Sequence, residues 1–374
     1  MVTSRDSRIR PLDGLRGLSC LLVLLGHTQG MDGMTILPPF VIAMDLFFAL
    51  SGYLISSILL AELEATGTIV LRRFWIRRMF RLLPAFYVFF GLGALAYAVT
   101  GFHPIIGESP YLSFLSTGLY ASNWPVAFGH KLGIYTITWS LSLEEQFYLV
   151  CPLLFLGSYR ALGKPKTAVL FGILVLVVIA WRIYVFDQTL SRQGVQAAWD
   201  RCYSGLDTRM DSLLIGGVAA LVRSTYGDRL RIGPRTGMAA FGLILSMLFI
   251  RDIPLVHGIQ ELSWHIRFMI GGGFNLVALL CALTILHVVQ WKDSLVSRAL
   301  SNRVLVTIGI FSYSVYLWHT AIFGGLEIVL KDMNGTPPLW LAKTALKFLT
   351  LAAIANLSYR FVEKPFLLRH RATN

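Results

Sequence analysis

The sequence predicts an all-α, polytopic membrane protein with about ten transmembrane helices in one bundle. Three observations carry that expectation. The 374 residues are 55% hydrophobic and only 14% charged, and the mean hydropathy is +0.65, far more apolar than an ordinary globular domain. Apolar runs of about 20 residues, the length that crosses a hydrocarbon core roughly 30 Å thick, recur along the chain. The connections between them are short, and no polar segment is long enough for a separate soluble domain, so residues 1–374 read as one membrane domain.

The first run, residues 12–31, holds "LDGLRGLSCLLVLLGHTQG" and lacks the small-residue cleavage site of a removable signal peptide, so it is expected to stay as the first span. The second, 38–61, carries Asp45 in "AMDLFFALSGYL", where Ser51 and Gly52 permit close helix contact. The third, 79–100, follows the arginine-rich "LRRFWIRRMFRLLP". Residues 110–130, interrupted by "ASNWPVAFG", are not counted as a span, because counting them would reverse the side of every later loop. Spans at 138–157, 166–186, 210–223, 236–250, 267–290, 304–330 and 338–361 complete the ten. The run at 210–223 is short, with room to extend upstream through "GLDTRM".

Charge bias supports this topology. With both ends inside, most of the 33 Lys and Arg residues fall in the cytoplasmic connections, as basic residues do in membrane proteins. The net charge of +13 then reflects attraction to anionic membrane lipids, and no motif supports a nucleic-acid partner. Cys20, Cys151 and Cys281 lie in spans and Cys202 stands alone in an outside loop, so neither a disulfide framework nor metal-ligand spacing emerges.

Ionisable residues inside the spans are the candidates for function. Arg16 and His27 are eleven steps of about 100° apart, which puts them on one helix face, about 16 Å apart along the axis. Arg16 falls at the cytoplasmic edge and His27 beyond the midplane. A desolvated imidazole is disfavoured as a cation and serves as a neutral base. The bland alternative is a histidine bonded to a neighbouring helix, with an arginine that anchors the helix end. In the next loop Arg72, Arg73, Arg77, Arg78 and Arg81 crowd within ten residues, and Arg78 and Arg81 share a face. Guanidinium groups bind phosphate in bidentate fashion, which suits a phosphorylated cytoplasmic ligand, whereas topology alone needs only positive charge.

On the other side, "TITWSLSLEEQFYLVCP" brings Trp139, Ser140, Ser142, Glu144 and Glu145 into the first turns of a span. Adjacent carboxylates point about 100° apart, so one faces the site while the other pairs with an arginine. "LDTRMDSLLIGG" supplies Arg209 and Asp211, either acceptor-binding groups or a salt pair at a helix start, and "YSVYLWHTAIF" supplies His319, divided between catalysis and packing.

Together "LDGLRGLSCLLVLLGH", "DLFFALSGYLIS", "RRMFRLLPAFY", "TWSLSLEEQFYLVCP", "RMDSLLIGG", "YSVYLWHTAIF" and "FVEKPF" resemble the integral-membrane acyltransferase family three, almost from end to end and in motif order. Members of that family acylate cell-surface glycans, peptidoglycan or macrolide-type metabolites. The resemblance implies a ten-helix core in a bacterial plasma membrane, both termini cytoplasmic, that takes acyl groups from cytoplasmic acyl-CoA, acetyl-CoA foremost. Its arginine-to-histidine motif falls on Arg16 and His27, its arginine pair on Arg78 and Arg81 with Arg77 beside them, and its acidic motif on Glu144 and Glu145. Some members carry an added extracytoplasmic esterase-like domain; here the chain ends soon after "FVEKPF", so a second step of that kind is expected to need another protein.

Geometry and resemblance meet on one mechanism. CoA phosphates would bind Arg16, Arg77, Arg78 and Arg81, the thioester would approach His27, and His27 would deprotonate a hydroxyl of a glycan, lipid-linked saccharide or macrolide acceptor. Glu144 would orient the imidazole, as a carboxylate does in a catalytic triad. Glu145, Asp45 and His319 complete the candidate catalytic set, and Trp139, Ser140, Arg209 and Asp211 the acceptor-binding set. Ser140, Trp139 and His319 are all candidates for holding the oxyanion, and an acyl-histidine intermediate stays open. Two other classes compete: a transporter of a phosphorylated solute, against which the absence of an evident internal repeat weighs, and a non-catalytic partner in a glycan-assembly complex.

Overall fold

The computed structural model describes residues 9–32, 41–248, 261–331 and 337–372. Helices α1 (Arg10–Asp32), α2 (Val41–Thr66) and α3 (Leu71–Thr100) are followed by two short ones, α4 (Pro110–Gly118) and α5 (Asn123–Ala127). Next come α6 (Thr138–Leu162), α7 (Lys164–Gln193), α8 (Val195–Ser204), α9 (Leu206–Tyr226) and α10 (Pro234–Met247). The short α11 (Trp264–Phe268) runs through a π-turn into α12 (Phe274–Gln290), and α13 (Leu295–Leu300) leads to α14 (Arg303–Val329). A second π-turn, Tyr359–Glu363, joins α15 (Pro337–Ser358) to α16 (Lys364–Ala372). No strand occurs among the described residues.

Each of the ten predicted spans coincides with helix, although the start of 38–61 and the end of 236–250 lie outside the described residues. Six helices among those residues are long and apolar enough to cross a membrane: α2, α3, α7, α11 with α12, α14, and α15 with α16. The chain is therefore an all-α, multi-pass membrane protein. Of the remaining four, α1 and α6 give up apolar residues to the ionisable groups described below, and α10 has only 14 described residues. The stretch 110–130 folds as two short helices of nine and five residues, too short to span.

Connections gather at opposite ends, as the charge bias requires. At one end Lys164 Nζ reaches Glu64 at 2.5 Å and the Ser224 hydroxyl at 3.0 Å, and Arg160 donates to Thr68 at 2.9 Å. Those bonds tie together the α2–α3, α6–α7 and α9–α10 connections. Gln290 Nε2 donates to the Leu230 carbonyl at 2.7 Å, bringing the end of α12 to the same place. At the other end α5 packs on α8. Cys202, expected in a loop, lies instead in α8 with its side chain buried, because that connection folds back into the bundle as a helix.

Glycines set the closest helix approach. A Cβ on Gly17 would lie 1.9 Å from the Leu305 carbonyl oxygen, and one on Gly309 would lie 1.8 Å from that of Asp13. Only Gly permits such a backbone contact between α1 and α14. The helices run parallel from this seam: Cys20 Sγ meets the Ser312 carbonyl one turn further on. Ten more residues from Gly17 reach His27 and ten more from Gly309 reach His319, so both imidazoles stand about 15 Å above the contact at one height.

Candidate functional site

A cavity of about 360 Å³ opens between α1, α2, α3, α6 and α14. Its wall follows helical periodicity. Ser140, Glu144 and Tyr148 line it from α6 at steps of four residues, and Met44, Phe47, Ser51 and Leu54 line it from α2 at steps of three or four. From α1 come Asp13 and Arg16, from α3 Arg78 and Arg81, and from α14 Ser312, Tyr313 and Tyr316. Thus Arg16, Arg78, Arg81, Ser140, Glu144 and Glu145, all expected at a site from the sequence, converge on one space.

Three arginines face three carboxylates there, so the interior is balanced in formal charge. Arg16 Nη1 lies 3.4 Å from Asp13. The Arg78 guanidinium stands 4.0 Å over the Tyr148 ring, a cation–π contact, and its Nε is buried without a hydrogen-bond partner. The Tyr148 hydroxyl bonds Ser51, and Glu144 is within hydrogen-bonding reach of both. Arg77 departs from its expected place: it is exposed and does not line the cavity, since it points about 100° away from Arg78 around α3.

His27 and His319 form a pair. Their ring centroids are 4.7 Å apart with planes at 79°. His27 Nδ1 sits 2.9 Å from the Val23 carbonyl and His319 Nδ1 2.5 Å from the Tyr316 carbonyl. A carbonyl only accepts, so both Nδ1 atoms carry a proton and both lone pairs lie on Nε2. His319 Nε2 is buried with no partner. The tautomer of His27 is thus held by its own helix, whereas Glu144, expected from the sequence to orient it, stands in the cavity beside Ser51, Tyr148 and Arg78.

Other expected groups sit elsewhere. Asp45 is fully buried, 2.9 Å from Arg209 Nη1 and 2.7 Å from the Ser212 hydroxyl. Arg209 lies 3.8 Å over the Phe274 ring. Asp211 pairs at 2.5 Å with Arg182, which the sequence did not single out, and accepts from Asn275 at 2.7 Å. The salt pair between Arg209 and Asp211 does not form, because residues two apart point about 200° away from each other on a helix, and each finds a partner on another helix. Trp139 packs on Tyr203 at 4.9 Å and Phe48 at 6.2 Å, behind Ser140. None of these four lines the cavity.

Sequence reasoning passed over Asp13, Tyr148, Tyr313 and Tyr316, and gave Ser51 only a helix-contact role. Tyr148 was one turn beyond Glu144 and Tyr316 one turn before His319, so helical spacing from a chosen residue would have found both. Glu363 was also missed: it is buried against the Ser314 hydroxyl, at the second π-turn.

Fold and site together define a multi-pass helical membrane protein with a charge-lined cavity below a pair of imidazoles, His319 buried and His27 half-buried. The chain belongs to the acyltransferase family whose model, described as an acyltransferase domain, matches residues 9–356. It is 32% identical over 382 residues to a peptidoglycan O-acetyltransferase of Listeria monocytogenes, covering 97% of this chain and 57% of that one. A Staphylococcus aureus protein provisionally named an O-acetyltransferase is 30% identical over 366 residues, 95% of this chain and 56% of the other. The chain therefore spans little more than half the length of these relatives. No solved structure matches it.

Proposed function

We propose that this protein is an O-acyltransferase that moves an acyl group, acetyl foremost, from cytoplasmic acyl-CoA to a hydroxyl of an extracytoplasmic glycan, lipid-linked saccharide or peptidoglycan. The observation that carries the reading is the imidazole pair with Nε2 lone pairs, set beyond a cavity whose arginines come from two helices. The relatives' names favour a glycan acceptor over a macrolide.

CoA phosphates rest on Arg81 and on the exposed arginines of α3, Arg77 among them, while the uncharged pantetheine arm lies in the charge-balanced interior between Arg16, Arg78 and Glu144. His27 Nε2 takes the acceptor's hydroxyl proton. The oxygen attacks the thioester carbonyl, the carbon–sulfur bond breaks, and the CoA thiolate leaves. The Ser140 hydroxyl, on the cavity wall, is the group offered to the oxyanion. His319, stacked edge-on, supports the imidazolium. The chain sits in a bacterial plasma membrane with both termini and the basic connections in the cytoplasm, against anionic lipids.

Proteoliposomes supplied with labelled acetyl-CoA and a glycan acceptor test this. His27→Ala should insert normally and lose transfer by at least about 10²-fold, the range of a lost general base. Wild-type turnover in that variant would refute the role of His27, and solute uptake without CoA release would replace the enzyme by a transporter.

A further inference from the structure

Neither imidazole lines the cavity, but Tyr316 does. Its ring centre lies 5.4 Å from that of His319 and 6.3 Å from that of Phe47, another wall residue. Tyr316 therefore has the cavity on one side and the imidazole pair on the other. Its hydroxyl lies 2.6 Å from Ser140 Oγ and 3.1 Å from the Ile137 carbonyl. The carbonyl can only accept, so Tyr316 donates to Ile137 and accepts a hydrogen bond from the Ser140 hydroxyl, which latches α14 to the first turn of α6. The main chain of the same residue accepts from His319 Nδ1. One residue thus closes the cavity with its side chain and fixes the imidazole tautomer with its carbonyl.

We propose that Tyr316 is a positioning residue that keeps a donor thioester in the cavity apart from His27 and His319, its ring leaving Ser140 and Ile137 only when an acceptor is in place. The proposal rests on the acyl-transfer reading. It answers a chemical hazard: were thioester, base and water always in contact, His27 would deprotonate water, hydroxide would attack the carbonyl, and the broken carbon–sulfur bond would yield free acid and CoA thiol with nothing acylated. The two hydrogen bonds of the latch are of ordinary strength, so a bound acceptor can replace them with its own.

The test compares CoA thiol released without acceptor against acceptor acylated, in proteoliposomes given labelled acetyl-CoA. Tyr316→Phe keeps the ring and loses both latch bonds. Acceptor-independent CoA release should rise about thirtyfold, the effect of removing two ordinary hydrogen bonds, while acetyl-CoA affinity stays within about twofold. Adding His27→Ala should abolish that release, a response that a merely structural tyrosine would not show. Tyr316→Phe with the wild-type ratio of CoA released to acceptor acylated overturns the proposal, as does a parallel loss of acetyl-CoA binding, which would make Tyr316 cavity wall alone. A wild-type protein that binds no acetyl-CoA and acylates nothing sinks the acyl-transfer reading instead, a result distinct from an active wild type with a coupled variant.

Discussion

Gly309→Ala tests how the imidazole pair is built. The new methyl carbon would lie 1.8 Å from the Asp13 carbonyl oxygen and 2.8 Å from its carbon. Both are main-chain atoms that cannot swing aside, and real Cβ contacts hardly ever fall below 3.0 Å. The helices α1 and α14 must therefore part by about 1.2 Å or more at the seam, an overpacking that costs about 1–3 kcal/mol. His27 and His319 sit on the same two rods, so their spacing shifts by a similar amount. A misplacement of about 1 Å costs on the order of 10²-fold in rate. The assay is the initial rate of acyl transfer in proteoliposomes, normalised to inserted protein, with the melting midpoint of the purified protein beside it. Gly325→Ala is the control: it lies on the same helix, where a Cβ meets nothing within 4 Å. If Gly309→Ala keeps the wild-type rate and midpoint, the glycine seam does not set the imidazole spacing.

Arg78→Ala with Arg81→Ala should weaken acyl-CoA binding by at least about tenfold, since each charge-assisted bond contributes about 1.5–3 kcal/mol, and leave acceptor binding nearly unchanged; isothermal titration with acetyl-CoA reads this directly. Glu144→Gln should slow transfer more than Glu145→Gln, because Glu144 lies in line with Ser140 and Tyr148 on α6; the opposite order in steady-state rates would exchange their roles. Asp45→Asn should destabilise the fold by about 3–5 kcal/mol by leaving Arg209 buried without its counter-charge, seen as a large drop in melting midpoint. The double variant Asp45→Asn with Arg209→Met should recover much of it.

Helical spacing made much of the cavity legible. Arg16, Arg78, Arg81, Ser140 and Glu144 meet because each lies on the face that its own helix turns inward, and periodicity reports that face. The apolar runs and the basic connections likewise located the helices and sorted their ends. Partners across helices were not legible. Periodicity gives an azimuth on one helix but says nothing about which neighbour stands opposite, so Glu144 was matched to His27 when Arg78 and Tyr148 stand beside it. The same gap explains Arg209 with Asp45 and Asp211 with Arg182, pairings between helices far apart in sequence. Arg77 shows the converse limit: a run of positive charge does not tell cavity wall from exposed face, and a single step along α3 carries the Arg77 side chain out of the cavity.

The seam between α1 and α14 also orders events in the life of the chain. Cys20 and Ser312, one turn past that contact, are 292 positions apart, so α1 must wait for α14 before its histidine meets His319. A chain that has not yet made α14 carries the arginines of α1 and α3 without the imidazole pair. The imidazole pair is thereby completed only once α14 has joined α1 in the bundle.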